Sequence, residues 1–321
     1  MIKKVGILTS GGDAPGMNAA IRAVVRAGLE ADLEMYVIFD GYKGIFDRNI
    51  QKVDRTFVSE IINRGGTKIG TARFPGMADP ETQKEAARIL RDEFQIDALV
   101  AIGGDGTYRG ALALSRNGIK CVGLPGTIDN DIASSDYTIG FFTALQTIVD
   151  CVDKLRDTSS SHKRVSVIEV MGRYCGDLAV YASVATGADI VITRENPMTD
   201  LELFEQVKLQ TQVEHKRHLI IIVTEHIYDV AELADRISKE CGVEAKSEVL
   251  GRIQRGGIPS AMDRFYATAM GVKAIDELLL DKTGICIGLI NNHIVSTPIE
   301  KALQMENNSN KEYKHVLVRS R

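Results

Sequence analysis

The chain has 321 residues, 44% of them hydrophobic and 26% charged, and a formal net charge of −4. The length suits two domains, the composition is that of a soluble globular protein, and the acidic balance argues against a general nucleic-acid binder, which needs a basic face. No apolar run approaches a membrane span, and the five scattered cysteines (Cys121, Cys151, Cys175, Cys241 and Cys286) fit a reducing cytoplasm, with neither a disulfide framework nor a zinc site.

The first apolar stretch runs to Leu8 and stops at Thr9-Ser10-Gly11-Gly12-Asp13, so it reads as a buried strand over Val5–Leu8 rather than a signal peptide. Further β-branched runs follow at Met35–Phe39, Ala98–Ile102, Cys121–Leu124, Arg164–Val170, Ile190–Thr193, Leu219–Val223 and Ile285–Ile290. Helical patterns run between them over Asn18–Leu29, Thr82–Phe94, Phe142–Asp157, Leu201–Gln212 and Pro259–Leu280. This alternation predicts an α/β protein of two domains, each a mainly parallel sheet flanked by helices in a Rossmann-like three-layer sandwich. Several strands are apolar on both faces, as a buried parallel sheet requires. No low-complexity linker separates the domains, so the boundary is expected inside ordinary structure, near Tyr137–Gly140.

Glycine turns follow several strands, and ligands of open α/β sheets sit beyond the carboxyl ends of strands. The first turn, Gly11-Gly12-Asp13-Ala14-Pro15-Gly16-Met17-Asn18, opens a helix. A helix N-terminus presents unpaired N–H groups and positive dipole to an anion. Gly11 and Gly16 have Walker spacing, but Met17-Asn18 stand where Lys and Ser/Thr are required, so the P-loop reading fails. An anion site and a ligand-free tight turn both remain open. In the second loop, Gly103-Gly104-Asp105-Gly106-Thr107, the glycines let a phosphate approach the backbone. A carboxylate there repels phosphate unless it holds a metal, so Asp105 is the candidate Mg²⁺ ligand, direct or through water, ahead of a helix-capping role.

The third segment, Pro125-Gly126-Thr127-Ile128-Asp129-Asn130-Asp131, carries two carboxylates two residues apart, which on an extended segment face the same way. Close like charges raise one pKa, preparing one group as a base with the other as its support. A kinase needs such a base because the attacking hydroxyl must lose its proton. An Asp/Asn-rich turn is the alternative. Arg73, Arg173, Arg252 and Arg255 all stand in glycine or turn settings, and Arg suits bidentate phosphate contacts. Together these residues describe a site for two phosphorylated ligands.

Those residues carry a resemblance. Leu8 to Ala20, Ala72-Arg73-Phe74-Pro75, Gly103-Gly104-Asp105-Gly106, Pro125 to Asp131, Met171-Gly172-Arg173-Tyr174-Cys175-Gly176-Asp177 and Ile253-Gln254-Arg255-Gly256-Gly257 resemble the bacterial ATP-dependent 6-phosphofructokinase family along nearly the whole chain. The Gly-Gly-Asp-Gly loop also occurs in NAD and lipid kinases; its combination with Gly-Thr-Ile-Asp-Asn-Asp is specific. The resemblance implies an allosterically regulated, cytoplasmic homotetramer that phosphorylates fructose 6-phosphate at its 1-hydroxyl, the committed step of glycolysis. It implies an ATP-binding domain of 1–138 with about 251–300, and a sugar-phosphate domain of 139–250 with a tail of about 301–321. Asp129 would be the base, supported by Thr127 and Asp131. Gly11, Arg73, Phe74, Gly104, Asp105, Gly106 and Thr107 would hold ATP, with Asp105 serving Mg²⁺. Arg73 and Arg173 would stabilise the transferring phosphoryl group. Thr127, Ile128, Met171, Gly172, Arg173 and Glu225 would contact the sugar, while Arg164, Lys246, Arg252 and Arg255 would serve its 6-phosphate, some of them reaching from a neighbouring subunit.

The chain departs from the family pattern in places. Arg252 replaces a usual His, and Lys246 a usual Arg that comes from the neighbouring subunit; both keep a cation, but Lys lacks the bidentate fork. An effector pocket for ADP and phosphoenolpyruvate is implied at Arg22, Arg26, Arg55, Glu60, Arg156, Gly187, Asp189, Glu214 and Lys216. Arg22 and Arg26 share a helix face, but Glu214 stands for a usual Lys and Asp189 for a usual Glu, so the response to these effectors is expected to be weakened or altered. Glycine at 106 and 126 points to ATP; pyrophosphate-using relatives commonly carry Asp and Lys there. The rivals are a pyrophosphate-dependent kinase and a non-catalytic α/β sensor. A sensor needs no base, which argues for chemistry at Asp129.

Overall fold

The computed structural model describes residues 2–306. Residues 307–321, part of the tail given above to the sugar-phosphate domain, lie outside the described residues. The chain forms two compact units, residues 2–143 with 255–306, and residues 144–254.

The first unit begins with β1 (Lys4–Thr9), α1 (Met17–Glu30), β2 (Glu34–Ile38), α2 (Gly41–Phe46), β3 (Ile50–Val53), α3 (Pro80–Arg88), β4 (Ala98–Gly103), α4 (Asp105–Arg116) and β5 (Lys120–Pro125). Helix α5 (Phe141–His162) carries the chain into the second unit, made of β6 (Val165–Val170), α6 (Asp177–Thr186), β7 (Ile190–Ile192), α7 (Asp200–Lys208), β8 (Leu219–Thr224), α8 (Val230–Cys241) and β9 (Ala245–Val249). A 3₁₀ turn, Gly251–Arg255, leads back to the first unit for α9 (Ala261–Leu279), β10 (Ile285–Ile290), β11 (His293–Pro298) and α10 (Ile299–Ala302).

The first sheet has the order β11-β10-β5-β4-β1-β2-β3, and the second β7-β8-β6-β9. All pairings are parallel except β2 with β3 and β10 with β11. The central strands are buried along their length: all six residues of β4 and of β8 are inaccessible, so they read as unbroken apolar runs. The sequence pattern misses β3, β9 and β11, and each is a sheet edge. Their residues, Ile-Gln-Lys-Val, Ala-Lys-Ser-Glu-Val and His-Ile-Val-Ser-Thr-Pro, mix polar with apolar because an edge strand faces water on one side.

Each unit has its own apolar core. Leu8, Ile38, Leu99, Tyr108 and Leu114 belong to that of the first, and Val167, Ile190, Leu203, Ile221 and Leu233 to that of the second. In the first sheet β1 lies between β2 and β4, so the winding reverses there. The carboxyl ends of β1 and β4 therefore border a switch point, the usual position of a ligand crevice in such sheets.

Candidate active site

In the first unit the three glycine-containing segments are tied into one surface. Ser10 N–H donates to Ile102 O (3.0 Å), Thr107 Oγ1 to Ser10 O (3.0 Å), and Gly126 N–H to Gly103 O (3.1 Å). The irregular segment carrying Arg73 joins them: Gly11 N–H donates to Ala72 O (3.4 Å) and Thr71 Oγ1 to Gly11 O (3.0 Å). Arg73 is exposed, and Phe74 packs on Phe46 with ring centroids 5.1 Å apart. Gly11 and Gly16 have φ of 91° and 110°, in the left-handed region that favours glycine. Asn18, at the position that fails the Walker pattern, is buried: its amide donates to Arg64 O (3.0 Å) and accepts from Lys68 N–H (2.7 Å). Arg255, in this unit, lays its guanidinium on the first glycine turn, with Nη1 3.1 Å from Asp13 O.

The second glycine segment is not wholly a loop. Gly104 is the N-cap and Asp105, Gly106 and Thr107 form the first turn of α4, so Asp105 is a first-turn residue rather than the cap. That places its carboxylate at the positive end of the helix dipole, 3.9 Å from the Arg109 guanidinium. Among the described residues no group of three acidic, His or Cys side chains gathers to hold a metal. One carboxylate nevertheless fits Mg²⁺, which is commonly bound by one or two carboxylates with substrate phosphates and water completing its shell. A Cβ at Gly106 meets nothing within 4 Å, whereas one at Gly126 would lie 2.8 Å from Ile102 Cγ2 and 3.0 Å from Met17 Cε. Gly126 is therefore required by packing as well.

The Thr127–Asp131 segment corrects one expectation. It is not extended: Asn130 is left-handed, with φ of 54°, so the alternation that would point Asp129 and Asp131 the same way is broken between them. Asp129 is buried, with 6% of its surface exposed, and Asp131 is half-buried. The loop is held from the far side of its turn. Asn130 Oδ1 accepts from Thr138 N–H (2.9 Å), Thr138 Oγ1 donates to Thr127 O (2.6 Å), and Asp129 N–H donates to Thr127 Oγ1 (3.1 Å). Asn130 and Thr138 received no role from the sequence; an Asn between two acidic residues, tolerant of left-handed geometry, was the available signal for the first.

In the second unit Met171, Gly172, Arg173 and Glu225 meet at the carboxyl edge of the sheet. Arg173 has φ of 57° and its N–H donates to Glu225 Oε1 (2.9 Å). Burial and the nearby Glu225 charge push the Glu169 carboxyl up. Gln254, fully buried, accepts from Met171 N–H (3.1 Å) and so ties the turn carrying Arg252 to the one carrying Arg173. In the sequence this Gln has no role beyond its place in the Ile253–Gly257 motif. Arg164 and Lys246 are elsewhere, at the amino edge of the same sheet. Arg164 Nε lies 2.8 Å and Lys246 Nζ 3.6 Å from the Glu244 carboxylate, and Arg164 holds that carboxyl below its usual range. Arg164 also lines a cavity of about 480 Å³ with Lys163, Lys216, Arg217 and His218.

The residues implied for effector binding fall into two groups. Arg156, Gly187, Asp189 and Lys216 are in the second unit: Lys216 Nζ pairs with Asp189 Oδ1 (2.9 Å) and Arg156 donates to Thr186 O (2.6 Å), beside the left-handed C-cap Gly187. Glu214 is exposed. Burial, then the adjacent Arg156, hold the His218 imidazole below its ordinary range. In the first unit Arg22 and Arg26 lie one turn apart on α1, and Arg55 pairs with Glu30 (2.6 Å); Glu60 is exposed. Burial and the Arg26 charge lower the affinity of Arg22 for its proton.

Residues 4–278 match the family model described as phosphofructokinase. Curated relatives named ATP-dependent 6-phosphofructokinase include those of Edwardsiella ictaluri, 52% identical over 95% of this chain and 94% of that one, and Yersinia pestis strain Pestoides F, 51% identical over 97% and 96%. Among solved structures, the phosphofructokinase of Saccharomyces cerevisiae superposes with a TM-score of 0.85 at 34% identity, over 99% of this chain and 47% of that one. That of Pichia pastoris in the T-state gives 0.87 at 33%, over 100% and 37%. This chain thus spans less than half of either yeast chain. A pyrophosphate-dependent phosphofructokinase from Marinobacter aquaeolei, 19% identical, over 99% of this chain and 92% of that one, shares the fold with a TM-score of 0.86.

Proposed function

The chain belongs to the phosphofructokinase family, and we propose that it transfers the terminal phosphoryl group of ATP to the 1-hydroxyl of fructose 6-phosphate. The observation that carries this reading is the joining of Ser10–Gly11, the Arg73 segment and Gly103–Thr107 by hydrogen bonds at the switch point, with the buried Asp129 following from β5 of the same sheet.

The backbone of Gly11 and of Gly104–Thr107, the latter at the N-terminus of α4, receives the ATP phosphates, with Arg73 and Phe74 beside them. Asp105 would hold Mg²⁺, which when bound neutralises charge on the phosphates. Asp129 takes the proton of the attacking hydroxyl while Thr127 and Asp131 support it. Arg73 and Arg173 stabilise charge on the transferring group. Ile128, Met171, Gly172 and Glu225 position the sugar, and Arg252 and Arg255 serve its 6-phosphate together with Arg164 and Lys246 of a neighbouring copy, in a homotetramer. ADP and phosphoenolpyruvate are the proposed effectors, acting through Arg22, Arg26, Arg55, Glu60, Arg156, Gly187, Asp189, Glu214 and Lys216, with the response weakened or altered because Glu214 puts a carboxylate where the family usually has an ammonium and Asp189 replaces a usual Glu. The domain assignment is a matching proposal: ATP to the first unit and the sugar phosphate mainly to the second. Five free cysteines suit a cytoplasmic enzyme.

The test offers ATP and pyrophosphate separately with Mg²⁺ and fructose 6-phosphate, and measures fructose 1,6-bisphosphate. Turnover with ATP alone supports the reading. Turnover only with pyrophosphate reverses the donor. A folded protein that binds the sugar phosphate and turns over neither is the sensor.

A further inference from the structure

Arg173 sits in a backbone conformation that a non-glycine residue adopts only when its surroundings hold it there. One hold is the Glu225 carboxylate on its N–H, from the end of the neighbouring strand β8. The next strand along, β7, supplies two more. It ends in a tight turn, Thr193-Arg194-Glu195-Asn196, closed by reciprocal backbone bonds between Thr193 and Asn196 (3.3 and 3.2 Å). From that turn Glu195 Oε1 accepts Gly176 N–H at 2.9 Å, fixing the end of the Met171–Gly176 turn. The guanidinium of Arg194 lies over the ring of Tyr174, 4.7 Å from its centroid, and the Arg173 guanidinium lies over the same ring at 5.4 Å.

Tyr174 is 64% exposed. A ring that large is normally buried, and its burial here contributes little to the core. What it does instead is offer a π-face to two cations, an attraction that restrains the side chains involved. Arg173 is otherwise a long, flexible group on a turn.

The geometry points to Tyr174 and Arg194 as positioning residues for Arg173: Arg194 pins the ring, and the ring restrains the guanidinium that meets the transferring phosphoryl group. This rests on the reading of Arg173 given above. The role is specific in its chemistry: it needs an aromatic face at 174 and a cation at 194, and it does not need the tyrosine hydroxyl. Both side chains are exposed, so either is replaceable without disturbing a core.

The experiment measures kcat, KM for each substrate and the thermal midpoint in Arg194→Ala, Tyr174→Leu, Tyr174→Phe, the double variant Tyr174→Leu/Arg194→Ala, and Arg173→Ala. An exposed cation–π contact sets the expected scale, a fall in kcat of about two- to fivefold. Arg194→Ala and Tyr174→Leu each show that fall with KM for ATP and the thermal midpoint unchanged. Tyr174→Phe restores the rate lost in Tyr174→Leu, and the double variant is no slower than Tyr174→Leu alone. Losses that multiply in the double variant overturn the proposal, because Arg194 then acts without the ring. Full kcat in Arg194→Ala and Tyr174→Leu with a depressed kcat in Arg173→Ala overturns it while leaving the Arg173 reading intact. Full kcat in Arg173→Ala removes both.

Discussion

Arg164 and Arg173 stand at opposite ends of one strand. The six residues of β6, Val165–Val170, separate them, and at a rise of ~3.3 Å per residue that is roughly 20 Å of extended chain. A single hexose phosphate bound at the Arg173 turn does not reach Arg164 of the same chain. Either Arg164 has no part in sugar binding, or it serves the site of another copy, as Lys246 beside it would.

Hybrid assemblies decide between these. Arg164→Ala is expected to raise KM for fructose 6-phosphate, and Arg173→Ala to lower kcat. Co-expressed as mixed oligomers, the two variants should complement, since in about a quarter of randomly assembled sites an intact Arg173 faces an intact Arg164. Activity of the mixture no higher than the mean of the two variants would show that Arg164 works within its own chain or not at all.

Asp129→Ser should lower kcat by about 10²–10⁴, the usual contribution of a positioned general base. Titration calorimetry should still show fructose 6-phosphate binding. Retained turnover would move the base elsewhere, with Asp131 the next carboxylate to replace.

The two glycines that point to ATP should respond differently to substitution. The open space at Gly106 predicts that Gly106→Asp leaves urea stability within ~0.5 kcal/mol, yet weakens use of ATP through a carboxylate placed among the phosphates. Gly126→Ala meets Ile102 and Met17 and should cost about 1–3 kcal/mol by overpacking. Equal stability losses at both positions would contradict this division of roles.

His218 should make folding stability fall in mild acid. Its folded-state pKa lies below the ordinary value of 6.5, through burial and the flanking Arg156, Arg217 and Lys216, with Asp189 opposing. The unfolded chain therefore binds the proton more readily, so the full contribution is present above that value and is lost as pH falls below it. Urea midpoints at pH 8 and pH 5.5 should differ less in His218→Gln than in the parent chain.

Much of the fold was legible because burial leaves a one-dimensional trace. Strands such as β4 and β8, buried on both faces, read as unbroken apolar runs, and the glycines after β1, β4 and β5 mark the carboxyl edge of the sheet in the sequence itself. The edge strands β3, β9 and β11 left no such trace, since they are partly wet and use polar residues, whereas the edge strand β7 is a buried Ile-Val-Ile run and did.

The chain by itself determined which residue types stand at the strand ends: Gly11, Asp105, Asp129 and Arg173 are read directly from it. Only the tertiary structure decided what holds them. Gln254 reaches Met171 across 83 residues of sequence and Thr107 reaches Ser10 across 97, while Asn130 takes a left-handed turn that an alternating pattern cannot express. The reason is physical: hydrophobic periodicity records how much of each residue is removed from water, whereas a buried donor is satisfied by whichever acceptor the folded backbone brings within hydrogen-bonding distance.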